Sequence, residues 1–271
     1  PLRCHRGGRH LRPATAHLHL GTAPGQTHGR RRTQVRHGRA TRLRPLTKIT
    51  SKQLLPVYNK PMIFYPIETL SKAGITEILI IIAPEYAGHF LNLLGTGRDF
   101  GAKFTYEIQE EPRGLADAFI MGKDFIGNDN VTMILGDNIF DHDFSHDIKN
   151  FKSGGHVFAK KVHDPQRYGV VEFDSNFNVL SIVEKPQNPK SEYAVPGIYI
   201  FDNRASEFAE NVKPSLRGEI EIPDVMNQYL AKGELKVSIV DGEWQDAGTF
   251  DSLLEANNYW AAKYKKIQGQ L

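Results

Sequence analysis

Two short runs of consecutive apolar residues constrain this chain more than any other feature. Residues 77–83 read EILIIIA and residues 131–135 read VTMIL. Each is brief and rich in β-branched side chains, as suits a strand covered on both faces. Such strands need helices on either side of a sheet, and the neighbouring sequence supplies them. Residues 84–94 and 114–125 carry helical periodicity, with an alternating strand pattern, KFTYEIQ, at 103–109 between them. After Gly154 the pattern changes to strands at 156–162, 169–173, 179–184 and 194–201. A helix at 220–231, a strand at 235–240 and a long helix from about 249 to 266 follow. Strands alternating with helices predict an α/β fold with a largely parallel mixed sheet and helices on both faces. The strand-rich middle reads as an inserted subregion that binds substrate.

The chain's 271 residues, 40% hydrophobic and 24% charged, suffice for a sizeable core. No run approaches 18 apolar residues, so no membrane span is expected. A single cysteine, Cys4, excludes an intrachain disulfide framework and a cysteine-based zinc site. A cytoplasmic protein is the expectation.

The net charge of +3 hides a sharp asymmetry. Residues 1–47 hold 11 Arg and no acid, and the first acid is Glu68. The rest of the chain carries 31 acids against 23 bases, a charge of −8. The basic character therefore belongs to the head alone and does not make nucleic acid a partner of the whole protein. Residues 1–37 contain six His, eight Arg and no Ile, Phe or Tyr. A basic arm for anionic surfaces, a transit peptide without a clear apolar face, and an accident of reading frame compete as explanations. We read 1–37 as an atypical head too poor in apolar residues to fold by itself, and 38–271 as the domain.

Six stretches carry residues suited to chemistry. Gly38 to Thr47 (GRATRLRPLT), followed by Ser51-Lys52-Gln53, combines small residues, the Thr41 hydroxyl, Arg42 and Lys52; a turn so composed wraps a polyphosphate, or is simply solvated. In LGDN a strand runs straight into Asp137, placing a carboxylate where open α/β sheets bind ligands and where Mg²⁺ takes one or two carboxylates; the plain alternative is a turn residue. In WQDAGT, Asp246 precedes a helix start, so it either converges with Asp137 on a cation or caps the helix. Glu184-Lys185 ends a strand as a sugar and phosphate contact, or as an exposed ion pair. Gln109 with Gly114 offers an amide and a close backbone approach for a nucleobase, or forms an ordinary strand–helix turn. Gly169, after Arg167-Tyr168, lets a sugar ring lie on the backbone, or marks a bulge.

Taken in order, these stretches resemble the sugar-1-phosphate nucleotidylyltransferases, and within them the thymidylyl-transferring bacterial members. TRLRPLT, SKQLLPVYNKPMIFYP, the run from Gln109 to Ala116, LGDNIF, DPQRYGVVEF, EKPQNPKSEYAVPGIY, KPSLRGEIEI and WQDAGTFDSLLEA carry the resemblance, over roughly residues 38–260. It implies a Rossmann-like nucleotidyltransferase fold with a strand-rich sugar-binding subregion. The reaction implied is attack of glucose 1-phosphate on the α-phosphorus of dTTP, with release of pyrophosphate. By the same resemblance Asp137 and Asp246 hold Mg²⁺, and Arg42, Lys52 and Lys185 do the catalytic work. Gly38, Thr41, Arg42, Gln53, Gln109, Gly114 and Asp137 bind the nucleotide, while Gly169, Glu184, Lys185 and Val195 bind the sugar phosphate. A homotetramer and a place in dTDP-rhamnose and surface-polysaccharide synthesis are also implied. Transfer from UTP or CTP and a non-catalytic nucleotide-sugar sensor are the alternatives.

The head departs from the family pattern. The family opens with an apolar strand and a Leu-Ala-Gly-Gly-x-Gly-x-Arg loop, whereas Arg36 and His37 stand where small apolar residues belong, and Ala40 replaces the third Gly. A charged residue in a central buried strand is strongly unfavourable unless paired. The expectation is therefore that the first strand is lost, the head poorly ordered, the nucleotide loop damaged and turnover slow. Pro223, where relatives carry Thr, is a minor second departure.

Overall fold

The computed structural model describes residues 15–19, 41–215 and 218–269. Chain order begins with strand β1 (Thr15–His19), the short ribbon strands β2 (Pro56–Val57) and β3 (Lys60–Pro61), helix α1 (Phe64–Lys72), β4 (Glu77–Ile82), α2 (Ala87–Leu94) and β5 (Lys103–Ile108). Next come α3 (Asp117–Met121), α4 (Lys123–Ile126), β6 (Val131–Leu135), β7 (Asn138–Phe140), α5 (Ser145–Asn150), β8 (Gly155–Lys161), β9 (Gly169–Phe173) and β10 (Val179–Glu184). The chain finishes with β11 (Tyr193–Ala194), β12 (Ile198–Phe201), α6 (Ala205–Glu210), α7 (Ile222–Ala231), β13 (Leu235–Ile239), β14 (Trp244–Asp246) and α8 (Phe250–Ile267).

Ten strands form one mixed sheet, in the order β10-β9-β11-β8-β12-β6-β1-β4-β5, with β13 added beside β8. The β6-β1-β4-β5 half is parallel. β12 joins it antiparallel, and the β8-β9-β10-β11 region is antiparallel throughout, which is the strand-rich subregion. The apolar run of β4 is buried along five successive positions. Alternation sends Leu79 and Ile81 into a core with α3, α6 and α7, through Phe119, Phe208 and Tyr229. Ile78, Ile80 and Ile82 enter a second core with α1, α2 and α5, through Leu70, Phe90 and Ile148. Each fully buried Ile contributes about 1.5–3 kcal/mol, so the sheet is clamped between two helical layers.

One expectation is corrected by the topology. The sheet does not lack a strand before Gly38: Thr15–His19, inside the head, pairs in parallel with both β4 and β6. A central place between two buried parallel strands offers ladder hydrogen bonds on both edges, and five residues of extended backbone satisfy them. The remaining residues of the 1–37 head lie outside the described residues. The helix expected at 114–125 is two short helices, α3 and α4, broken at Gly122. α1, α5 and α6, and the β7–β14 pair, are elements the sequence pattern did not announce.

Candidate active site

A cleft opens at the carboxyl edge of β6 and is walled by the antiparallel subregion. Its lining includes Arg42, Lys52, Asp137, Asn138, Arg167, Gly169, Glu184, Lys185, Val195 and Asp246. Asp137 reaches it because β6 ends at Leu135 and the chain turns at once into β7. Asp246 reaches it because β14 pairs antiparallel with β7, setting Asp246 opposite Asn138. The backbone N–H of Ala247 then donates to the carbonyl of Asp137 at 3.1 Å. A side chain at Gly248 would stand 2.9 Å from Asp246 Oδ1, so glycine leaves that carboxylate its space. The final helix is capped by Thr249, which accepts from the Ser252 N–H at 3.2 Å in a reciprocal capping box. Capping therefore does not occupy Asp246.

The electrostatics of the two carboxylates differ. Burial pushes Asp137 up, but the charge and hydrogen bond of the Lys52 ammonium outweigh it and hold the carboxyl below its ordinary range. Asn138 adds a hydrogen bond from Nδ2 to Asp137 Oδ1 at 3.2 Å. Asp246 moves the other way: burial, then the negative charge of Asp137, raise it against the opposing pull of Lys52, Arg42 and Arg167. Two partly buried carboxylates that repel one another, with an ammonium pressed against one of them, make a site that favours added positive charge. Among the described residues there is no cluster of three or more metal-ligating side chains. A pair of carboxylates without further protein ligands fits Mg²⁺, which keeps waters and substrate phosphate oxygens in its shell.

Lys52 owes its position to a small third core. Leu43, Leu55, Val57, Met62 and Tyr65 pack with Ile139, Ala247 and Leu253, fastening the segment around Lys52 to β7 and α8. Asn138 ties three walls together: its Oδ1 accepts from Trp244 Nε1 at 2.7 Å and from the Gly197 N–H at 2.9 Å. The sugar-side group is equally compact. The Val195 N–H donates to the Gly169 carbonyl at 2.7 Å, and a side chain on Gly169 would meet Glu184 Oε2 at 3.3 Å. Lys185 pairs with Glu184 at 2.7 Å and adopts φ 44°, turning the chain out of β10 at the cleft rim.

The structure thus brings together Arg42, Lys52, Asp137, Gly169, Glu184, Lys185, Val195 and Asp246. Three expected nucleotide contacts do not line this cleft. Gln53 is fully buried, its amide carbonyl accepting from the Ser51 hydroxyl. Gln109 lies just past β5 and donates from Nε2 to Asp117 Oδ2 at 2.9 Å. Gly114, at φ 112°, approaches the backbone of Ile220, where a Cβ would stand 2.4 Å from the carbonyl oxygen, so its conformation is fixed by the protein's own chain. Its neighbour Leu115 does line the cleft. Thr41 opens a short 3-10 turn, Thr41–Leu43, and Gly38 lies outside the described residues. Asn138, Tyr199 and Asp117 escaped the sequence reading. A polar residue directly after Asp137, and a lone acid in the apolar stretch GLADAF, were the available signals.

Fold and cleft together define a Rossmann-like α/β protein that sets two partly buried carboxylates and a basic rim at the carboxyl edge of its parallel strands. Residues 36–263 match the nucleotidyl transferase family. A glucose-1-phosphate thymidylyltransferase from Neisseria gonorrhoeae is 54% identical over 228 residues, covering 82% of this chain and 79% of the relative. A crystal structure from Bacillus anthracis, described as a candidate glucose-1-phosphate thymidylyltransferase with sucrose bound, superposes with a TM-score of 0.80 at 40% identity, over 91% of this chain and 95% of that one. A UDP-glucose pyrophosphorylase bound to UDP-glucose shares the fold, with a TM-score of 0.77 at 23% identity over 93% and 99% of the two chains. The chain belongs to the nucleotidyl transferase family.

Proposed function

We propose that this protein is a glucose-1-phosphate thymidylyltransferase, forming dTDP-glucose and pyrophosphate from dTTP and glucose 1-phosphate. The observation that carries the reading is the convergence of Asp137 and Asp246 on one cleft with Lys52 and Arg42, in a chain about half identical to a protein of that name. A sugar-phosphate oxygen attacks the α-phosphorus as the bond to the bridging oxygen of the pyrophosphate breaks. The protein's task is to align the two reactants and neutralise charge. Arg42 and Lys52 face the phosphates and stabilise the departing pyrophosphate. Lys185 holds the phosphate of the sugar, and Glu184, Gly169 and Val195 contact the glucosyl ring. Gln109 receives the base. Asp137 and Asp246 would hold Mg²⁺, which when bound would offset the negative charge of the phosphate groups.

Among the described residues no helix is long and apolar enough to cross a membrane. Work in the cytoplasm, assembly as a homotetramer and supply of dTDP-glucose for dTDP-rhamnose and surface-polysaccharide synthesis belong to the same reading. Sedimentation tests the assembly. The decisive assay is pyrophosphate release with dTTP, Mg²⁺ and glucose 1-phosphate, with UTP and CTP at equal concentration beside it. Release that does not depend on the sugar phosphate, or that is fastest with UTP or CTP, rejects the assignment. Comparing this chain with one that carries an apolar first strand and a Gly-Gly pair before residue 40 measures what the altered loop does to the rate.

A further inference from the structure

Arg167 lines the cleft, yet the reaction as described gives it no task. It closes a 3-10 turn, Pro165–Arg167, one residue before β9 and Gly169. Backbone and side chain both fasten that turn to Asp164. The Arg167 N–H donates to the Asp164 carbonyl at 3.2 Å, and Nη1 of the guanidinium donates to Asp164 Oδ2 at 2.6 Å. The two side chains are 48% and 38% exposed. An ion pair so open to water adds little stability, so its effect is to orient the guanidinium.

The neighbours of Arg167 give the direction. Its guanidinium carbon lies 5.4 Å from the centroid of the Tyr168 ring, and that ring meets Trp244 edge-on at 5.2 Å. Trp244 is bonded to Asn138, next to Asp137. The Tyr168 carbonyl accepts the Lys185 N–H at 2.9 Å, so Arg167 and Lys185 stand on adjoining chains of one wall. From there Arg167 pulls on the charge of Asp246, together with Lys52 and Arg42.

The charges of the cleft make the same case. Four cations, Arg42, Lys52, Arg167 and Lys185, line it against three carboxylates. Lys52 is paired with Asp137, and Lys185 with Glu184. Without Arg167 the lining would hold as many negative side chains as positive ones, in a cleft that must take two phosphate-bearing substrates. A guanidinium carries five N–H donors in a planar fork, so Asp164 leaves donors over for a phosphate oxygen. We infer that Arg167 is a further catalytic residue, holding the phosphate of the sugar substrate together with Lys185, and that Asp164 is its positioning residue. The inference rests on the reading of this wall, from Gly169 to Lys185, as the sugar-phosphate side.

Equilibrium binding of dTDP-glucose and of dTMP, with Mg²⁺ present, separates the sugar phosphate from the rest of the nucleotide. Arg167→Gln should weaken dTDP-glucose about tenfold or more, as loss of a charge-assisted hydrogen bond requires, and leave dTMP within about twofold. Equal loss for both ligands, or no loss for dTDP-glucose, overturns the inference. Asp164→Asn keeps the guanidinium but unfastens it. It should weaken dTDP-glucose about threefold or more by itself, and add nothing in the presence of Arg167→Gln. A merely structural role would give the same loss in both backgrounds, and that result overturns the part given to Asp164. Should Arg167→Gln not melt cooperatively, Arg167→Lys takes its place: it keeps the charge without the fork, and a smaller loss confined to dTDP-glucose is expected. If dTDP-glucose does not bind the unaltered protein at all, the proposed function falls, and the inference with it. If it binds, and the variants bind it equally well, the inference alone falls.

Discussion

The Lys52 ammonium and the Asp137 carboxylate form a partly buried ion pair across 85 positions of sequence, their side chains 8% and 13% exposed. The pair joins a loop ahead of the first helix to the end of a sheet strand, and does so at the floor of the cleft. It also sets the charge balance there: Lys52 keeps Asp137 ionised while Asp246, next to that negative charge, is driven toward protonation.

Removing the cation should expose this balance. Lys52→Met leaves a buried carboxylate unpaired and is expected to cost roughly 3–5 kcal/mol of stability. Thermal melts with and without Mg²⁺ check it. The variant should be stabilised by Mg²⁺ more than the unaltered protein is, and equal shifts in the two would contradict a shared cation site.

Asp246→Asn should separate stability from activity. The ionised Asp246 is unfavourable in the folded protein, because burial and Asp137 raise its pKa. Its folded pKa lies above the unfolded one, so the carboxyl loses stability as pH rises through that range. Substitution removes the penalty at neutral pH. The variant should melt no lower than the unaltered protein without Mg²⁺, while pyrophosphate release falls by at least about a hundredfold.

Asn138→Ala should cost about 2 kcal/mol in urea unfolding, because the Trp244 indole N–H and the Gly197 N–H lose their common acceptor. Turnover should fall with it, since β14 carries both Trp244 and Asp246. A drop in stability without a drop in rate would mean that Asn138 does not hold the acidic pair in register.

Gly114→Ala forces a side chain onto φ 112° and into the Ile220 carbonyl. Strain of about 1–3 kcal/mol is expected, read as a lower urea midpoint at unchanged m-value. The effect should be nearly absent for Gly88→Ala, where a Cβ meets nothing within 4 Å.

His156 gives the protein an acid-side sensitivity away from the cleft. Burial lowers its pKa, Asp147 opposes the shift and Lys236 adds to it; Nε2 lies 2.8 Å from Ser238 Oγ. The unfolded state therefore takes up the proton first as pH falls. The contribution is complete above about pH 6.5 and fades as pH drops toward the folded pKa. Melts between pH 7.5 and 5.5 should show a shallower decline in His156→Gln than in the unaltered protein, and parallel declines would exclude His156 as the source.

Much of the parallel half was legible before any coordinates. EILIIIA and VTMIL are apolar at every position these strands bury except Thr132, so β4 and β6 declared themselves. Asp137 was legible for the same reason, as the first acid beyond a buried strand, and Glu184 and Lys185 as charges at the end of an alternating one. α5 and α6 were not: six residues span less than two helical turns, too few for a periodicity to stand out. Thr15–His19 was missed because its composition argues against a central strand, and the ladder partners that hold it lie some sixty and more than a hundred residues away.

By itself the sequence determined which segments are buried, where strands end in acids, and which side chains have the chemistry for phosphate, sugar and metal. Those are local properties, written in periodicity and residue type. The tertiary structure alone decided that Asp246 sits opposite Asn138, that Lys52 is spent on Asp137, and that Asp117 accepts from both Gln109 and Arg113. These relations depend on register between β7 and β14 and on packing across the third core, and a hydrogen bond between residues distant in sequence leaves no period by which to read it.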